Sequence, residues 1–366
     1  MQAIRLHPAS PSPTTTPYSP SNPAPPSALH LDTNIPIPKP SKPDELVIRV
    51  KATTVVRDML TWPETYSHEY AIPGNDVAGI VTAVFDEQTS DLKPGDEVFG
   101  MTHPDRAGAW AEYALVRAPD EVARKPAALS WEQAAALPLS ALTAYEALFV
   151  HAGLTAPFPE AAAASRLKKK KKKKKEEEEE EAQAPAHKHP HRRLLITGAA
   201  GAVGVHLVQL AAAVKGLHVV AASSSNARNA EFLLGLGADE AVEYAELGGV
   251  RHAEFDVVVD AVGGEVLARC WEYVRADGPG VLVSVDSASY DFVQRHTERG
   301  IRKDGVRALF FIVQGSGTAL RYLAELAERG LLLSLVNCVF PFERVQEAYE
   351  LASGRYTGRG KVVLTN

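Results

Sequence analysis

The sequence predicts an α/β protein in which a parallel sheet, doubly wound by helices, is joined to a smaller β-barrel. Three observations predict it. After residue 193, apolar strands alternate with helical patterns, the signature of a parallel sheet covered on both faces. In the N-terminal third, short strands are separated by glycine and proline, as in a small barrel. The 366 residues also exceed what one core usually accommodates, which implies two domains.

In chain order, MQAIRL reads as an edge strand and ELVIRVKATTV (45–55) as its partner, with the Pro/Ser/Thr stretch between them a long flexible connection. GIVTAVF (79–85), EVFGM (97–101) and AEYALV (111–116) continue the pattern, with KPGDE (93–97) as a tight turn. At Ser130 the period changes. SWEQAAALPLSALTAYEALFVHAGL reads as a helix with Ser130 as N-cap and Gln133 at the capping-box position. LLIT (194–197), HVVAAS (218–223), DVVVDAV (256–262), VLVSV (281–285) and ALFFIV (308–313) are the strands of the parallel sheet, and helices at 202–214, 227–236 and 264–275 follow the first three. The final segment ends in a strand preceded by a helix, and is expected to return to the barrel.

Residues 154–192 carry eight lysines followed by six glutamates at 168–181. With no apolar face to dock, this block is expected to be a disordered insertion in a surface loop, and His187, His189 and His191 beyond it a solvated linker.

Composition narrows the function. Net charge is −6, and −8 outside that block, which argues against nucleic acid as the main partner. Cys270 and Cys338, far apart, exclude a disulfide framework and fit a reducing compartment. The start lacks an apolar signal core, and twelve of the 25 prolines fall within 8–43, unlike an amphipathic presequence. A cytoplasmic protein without membrane segments is expected; the apolar run 194–214 is interrupted by Thr197, His206, Gln209 and three glycines, and reads as strand, turn and buried helix.

TGAAGAVG (197–204) carries the chemistry. It follows an apolar strand and opens a helix, the context of a dinucleotide fingerprint. G-x-G-x-x-G would place glycines at 199, 201 and 204; the first is Ala199, which suffices if its φ stays negative. Gly201 lets the backbone approach a pyrophosphate and Gly204 lets the helix sit against the strand, so Ala200, Gly201, Ala202, Val203 and Gly204 are the phosphate-binding candidates. About 20 residues on, where an NAD site carries an acid, stand Ser223, Ser224, Ser225 and Arg228. Hydroxyls and a guanidinium suit a 2′-phosphate, so NADPH is the expected cofactor.

With PGNDVAGIV (73–81), KPGDEVFG (93–100), GAWAEYALV (108–116), AALPLSALTAYEAL (135–148), LLITGAAGAVG (194–204), LGADEAVEY (236–244), FDVVVDAVGG (255–264) and GRGKVVL (358–364) in this order, the chain resembles a zinc-independent member of the medium-chain dehydrogenase/reductase superfamily, in its quinone oxidoreductase and enoyl reductase branch. The resemblance implies a GroES-like catalytic domain (1–145, completed by 316–366), a Rossmann domain (146–315) containing the insertion, and an active site in the cleft between them. Zinc relatives carry a cysteine three residues before the aspartate of the first site motif and a histidine in G-H-E; here these places are Val55 and Asn75, and the four-cysteine lobe is missing. Without a Lewis acid, hydride delivery requires an acceptor that is already electrophilic, a quinone or an α,β-unsaturated carbonyl.

The resemblance also implies roles. Thr143 would bond the nicotinamide carboxamide, Tyr244 and Arg228 would flank the 2′-phosphate, Val262 would line the cofactor, and Lys361 would lie near the nicotinamide end. Asp58, in VVRDML, matches an enoyl reductase segment; with Tyr66 and Thr143 it is a candidate catalytic residue, and water is the other proton source. Where enoyl-thioester reductases often have Tyr-Pro, this chain has Trp62-Pro63. Three readings stay open: a quinone or enone reductase, a trans-acting enoyl-thioester reductase, and a non-catalytic NADPH-binding protein. Self-association through the edge of the parallel sheet is the expected oligomeric contact.

Overall fold

A computed structural model describes residues 1–9, 16–88, 90–162, 192–248, 251–354 and 358–366. The chain divides into two compact units, one formed by Met1–Leu142 with Gln314–Asn366 and the other by Thr143–Val313.

In the first unit, β1 (Ala3–Leu6) pairs antiparallel with β2 (Leu29–Asp32), not with the strand at 45–55. The expected flexible connection therefore contains a strand of its own, because Leu29 and Leu31 join Ile4 and Leu6 in one core. The prolines flank that short strand rather than interrupt it. The barrel follows with β3 (Glu45–Val55), β4 (Asp76–Val84), β5 (Glu97–Met101), β6 (Tyr113–Arg117) and β7 (Val122–Arg124).

Helix α1 (Trp131–Ala136) starts with the expected box: the Gln133 N–H donates to Ser130 Oγ at 3.2 Å and the Ser130 N–H to Gln133 Oε1 at 3.0 Å. It does not run on unbroken. Pro138 lacks an N–H, so a separate α2 (Pro138–Tyr145) begins there, followed by a π-helical turn, Glu146–His151. The run Trp131–His151 is long and apolar enough to cross a membrane, but 67% of its most apolar window is buried inside the protein.

The second unit contains β8 (Arg192–Ile196), α3 (Gly204–Ala212), β9 (Leu217–Ser223), α4 (Asn226–Leu236), β10 (Glu240–Glu243), α5 (Tyr244–Leu247), β11 (Val257–Asp260), α6 (Gly264–Tyr273), β12 (Val281–Ser284), α7 (Phe292–Glu298) and β13 (Arg307–Phe310). Its six strands are parallel in the order β10-β9-β8-β11-β12-β13, so the chain winds outward from β8, then crosses back and winds the other way. Strand β10 (EAVE) was not expected, since two glutamates in four residues hide an edge strand. Of the expected insertion, 163–191 lies outside the described residues, including the Lys/Glu block and the three histidines; Arg192 already belongs to β8.

Glu240 ties this sheet edge to its neighbours. It accepts from His218 Nε2 at 2.6 Å and Arg193 Nη2 at 3.1 Å, and pairs with Arg251. The His218 hydrogen bond, then Arg251, outweigh burial and hold the Glu240 carboxyl at about 2 instead of 4.5. Because the folded value lies below the unfolded one, this stabilisation is present above pH 4.5 and lost as pH falls toward 2. Thermal midpoints measured across that window should fall, and Glu240→Gln should flatten the fall. A variant as acid-sensitive as the parent would refute the assignment.

Returning to the first unit, α8 (Gly317–Glu328) is followed by β14 (Val336–Pro341), α9 (Val345–Ser353) and β15 (Lys361–Thr365). As expected, the C-terminal strand rejoins the barrel: β15 pairs antiparallel with β3, and the order is β14-β15-β3-β4-β5-β7, with β6 also on β3.

Candidate functional site

The strand order reverses between β8 and β11, and their C-terminal ends carry the glycine-rich turns. Gly198, at φ +65°, takes the left-handed position, and Ala199 avoids positive φ, which is how alanine is tolerated there. The Ala199 N–H is held by the Ala222 carbonyl at 3.1 Å. A Cβ on Gly204 would lie 2.1 Å from the Gly198 carbonyl oxygen, so the helix is pressed onto the turn. Gly201 is different: a Cβ there would meet only that same oxygen, at 3.2 Å, and the residue is exposed with Ala202. Ala200 and Val203 are half-buried beside it, and α3 starts without a side-chain cap. An open turn at an uncapped helix start is suited to an anion.

The opposite wall is built on Asp260, a carboxylate at the end of the all-apolar start of β11. It is fully buried and accepts from Thr197 Oγ1 at 2.6 Å, the Gly263 N–H at 2.9 Å, Ser284 Oγ at 3.2 Å and the Val262 N–H at 3.3 Å. Burial pushes its carboxyl upward, and those hydrogen bonds oppose the shift. The network fixes the loop that exposes Val262. Sequence reasoning missed Asp260; a carboxylate ending a valine strand was the available signal.

Tyr244 was expected to flank the 2′-phosphate; its hydroxyl accepts the Gly198 N–H at 3.0 Å and so buttresses the glycine turn. At the end of β9, Ser223 is buried and its Oγ accepts from Asn229 Nδ2 at 3.2 Å; beyond it Ser224 and Arg228 are exposed and Ser225 is half-buried. One acid does approach this loop from the next strand. Glu243 accepts the Asn226 N–H at 2.6 Å and caps α5.

In the barrel unit, Lys361, expected to lie near the nicotinamide end, is 5% exposed and ion-paired with the fully buried Asp76. Asp76 also accepts from Thr54 Oγ1 at 2.5 Å and, through its other oxygen, from the Leu139 N–H at 2.7 Å. That second bond anchors the first turn of α2, whose buried Thr143 lies one turn further on. Tyr66, a candidate catalytic residue, has its hydroxyl engaged by backbone: it donates to the Leu60 carbonyl and accepts the Ala24 N–H at 2.9 Å. Asp58 stands at φ 60° on the surface, paired with Arg57 at 3.1 Å.

A zinc ion does not fit these residues. Val55 is a hydrocarbon facing Val362 across the sheet, and among the described residues no three His, Cys, Asp or Glu side chains group to hold a metal.

Two family models match the chain: an alcohol dehydrogenase GroES-like domain over residues 42–127 and a zinc-binding dehydrogenase over 236–364. A probable zinc-binding mitochondrial oxidoreductase of Arthroderma benhamiae is 34% identical over 93% of this chain and 94% of its own. A 2-methylene-furan-3-one reductase of Solanum lycopersicum is 32% identical over 90% of this chain and 74% of its own. The solved quinone oxidoreductase of Coxiella burnetii superposes with a TM-score of 0.73 at 25% identity, covering 100% of this chain and 99% of its own. With the 3-2-1-4-5-6 sheet, the barrel closed by the C-terminal strand and these relatives, the chain belongs to the medium-chain dehydrogenase/reductase superfamily, in its quinone oxidoreductase branch, and is an oxidoreductase of the nicotinamide-dependent kind.

Proposed function

We propose that the protein is an NADPH-dependent reductase of quinones or α,β-unsaturated carbonyls. The observation that carries this reading is the open turn at Gly201, backed by the uncapped start of α3 at the point where strand order reverses. When bound there, the dinucleotide supplies a hydride. Gly201 and the α3 N-terminus would hold its pyrophosphate, Ser223–Ser225 with Arg228 its 2′-phosphate, and Thr143 its carboxamide. Neither Val55 nor Asn75 supplies a zinc ligand, so the acceptor must be polarised already, and water protonates the product. The tomato relative's name, that of a reductase acting on a conjugated ketone, supports the enone class.

A turnover screen tests this: NADPH with a quinone, an enone and a crotonyl thioester, each with and without a chelator. Thioester turnover alone would favour a trans-acting enoyl reductase, and NADPH binding without any turnover a non-catalytic role. The reading includes a cytoplasmic location, although the fungal relative is named mitochondrial. It also includes a homodimer joined through an edge of the parallel sheet, whose two edge strands are β10 and β13.

Cofactor choice has its own test. Glu243 would disfavour a phosphate if it reached it, but both its neighbours are backbone N–H groups that it already holds. Arg228→Ala should therefore weaken NADPH by about 1.5–3 kcal/mol, roughly 10- to 150-fold, and NADH little. Equal weakening of both cofactors in titrations would sink the NADPH assignment.

A further inference from the structure

A cavity of about 450 Å³, a size that accommodates a small organic molecule, lies between α6 and α7 within the second unit. No residue assigned above to the dinucleotide lines it. Phe292, Arg295, His296 and Arg299 recur at the spacing of one helix face and line one side, and Leu267 comes from α6. Phe292 and Leu267 are buried and make part of the lining apolar.

His296 is 5% exposed. Its Nδ1 accepts from Trp271 Nε1 at 2.8 Å, and an indole N–H can only donate, so the ring's one proton sits on Nε2. Burial, then Arg299 and Arg295, hold the imidazole below its ordinary 6.5, with Glu265 opposing, and so keep it neutral. The Nε2–H has no acceptor among the described residues. It is not sealed in either: unlike the unpaired Trp62 Nε1 and Arg106 Nε, it retains accessible surface, on a side chain that lines the cavity.

The two guanidinium groups are partly committed. Arg295 pairs with Asp291 through Nε and donates from Nη2 to the Ala288 carbonyl at 3.0 Å, and Arg299 donates from Nη2 to Glu265 Oε1 at 3.1 Å. The Nη1 group of each has no partner among the described residues. Two acids share the lining. The Glu265 side chain is 79% exposed, and Asp286 accepts from Ser289 Oγ at 2.6 Å while pressed against Gly263, where a Cβ would lie 2.1 Å from its Oδ2. Charged and neutral donors beside apolar walls suit an oxyanion on an apolar body, and the two acids limit it to one negative charge.

We propose that this cavity binds a small organic carboxylate, whose oxygens accept from His296 Nε2–H and Arg299 and whose body packs on Leu267 and Phe292. The site is independent of the reductase reading.

The test is calorimetry on the full-length protein with 4-phenylbutyrate, its uncharged amide, acetate and phenyl phosphate. The parent should bind 4-phenylbutyrate about tenfold or more tightly than each of the other three. Arg299→Gln removes a cation from an exposed position; it should weaken 4-phenylbutyrate about tenfold or more and leave the amide unchanged. His296→Asn keeps an oxygen to accept from Trp271 but has no donor in the place of Nε2, and should weaken both the carboxylate and the amide. If that variant folds poorly, Arg299→Gln decides alone. No binding of 4-phenylbutyrate, equal affinity for its amide, tighter binding of phenyl phosphate, or unchanged affinity in either folded variant would overturn the proposal.

Discussion

Asp76→Ala is expected to destabilise the barrel unit by about 3–5 kcal/mol, because it strands the Lys361 ammonium in a site that is 5% exposed. The loss extends beyond the ion pair. Thr54 Oγ1 and the Leu139 N–H lose the same acceptor, so β3, β15 and the start of α2 come apart together. Lys361→Met added to Asp76→Asn should recover part of that loss, since the double variant buries no unpaired charge and the two effects are not additive. Thermal and urea midpoints of the single and double variants check this. A loss below about 1 kcal/mol for Asp76→Ala would mean that the pair is hydrated in solution.

Gly204→Ala and Gly201→Val should separate packing from ligand binding. In the first, a Cβ 2.1 Å from the Gly198 oxygen and 2.7 Å from the Ala199 carbonyl carbon cannot be accommodated, so the turn must shift by about 1 Å. Overpacking of this kind costs about 1–3 kcal/mol, and the displaced amides should weaken NADPH by about 100-fold. In the second, the added Cβ meets only one oxygen, at 3.2 Å, so the melting temperature should hold while NADPH affinity falls by a similar factor. Fluorescence titration with NADPH and a melting curve for each variant decide it. Full NADPH affinity in Gly201→Val would remove the pyrophosphate from this turn.

The sites divide by how local their causes are. TGAAGAVG was legible because strand, turn and helix start follow one another in the chain, and the steric role of Gly204 is a contact across only six residues. Ser130 and Gln133 were legible for the same reason. Asp260 was not, because its donors Thr197, just past β8, and Ser284, on β12, are distant in sequence. The partners of the Tyr66 hydroxyl were not legible either, because it is held by backbone groups of Leu60 and Ala24, the latter distant in sequence. Lys361 was placed by its motif, yet its partner Asp76 is 285 residues away.

The sequence by itself determined the parallel sheet, the return of the C-terminal strand to the barrel and the position of the glycine turn, since hydrophobic period and backbone sterics act over a few residues. Only the tertiary structure decided that β1 pairs with β2, that Asp76 holds Lys361 and α2, and that Trp62 keeps an unpaired N–H. Those outcomes turn on which polar groups burial brings within about 3 Å of one another, and pairing at that distance follows from packing, not from any local pattern in the chain.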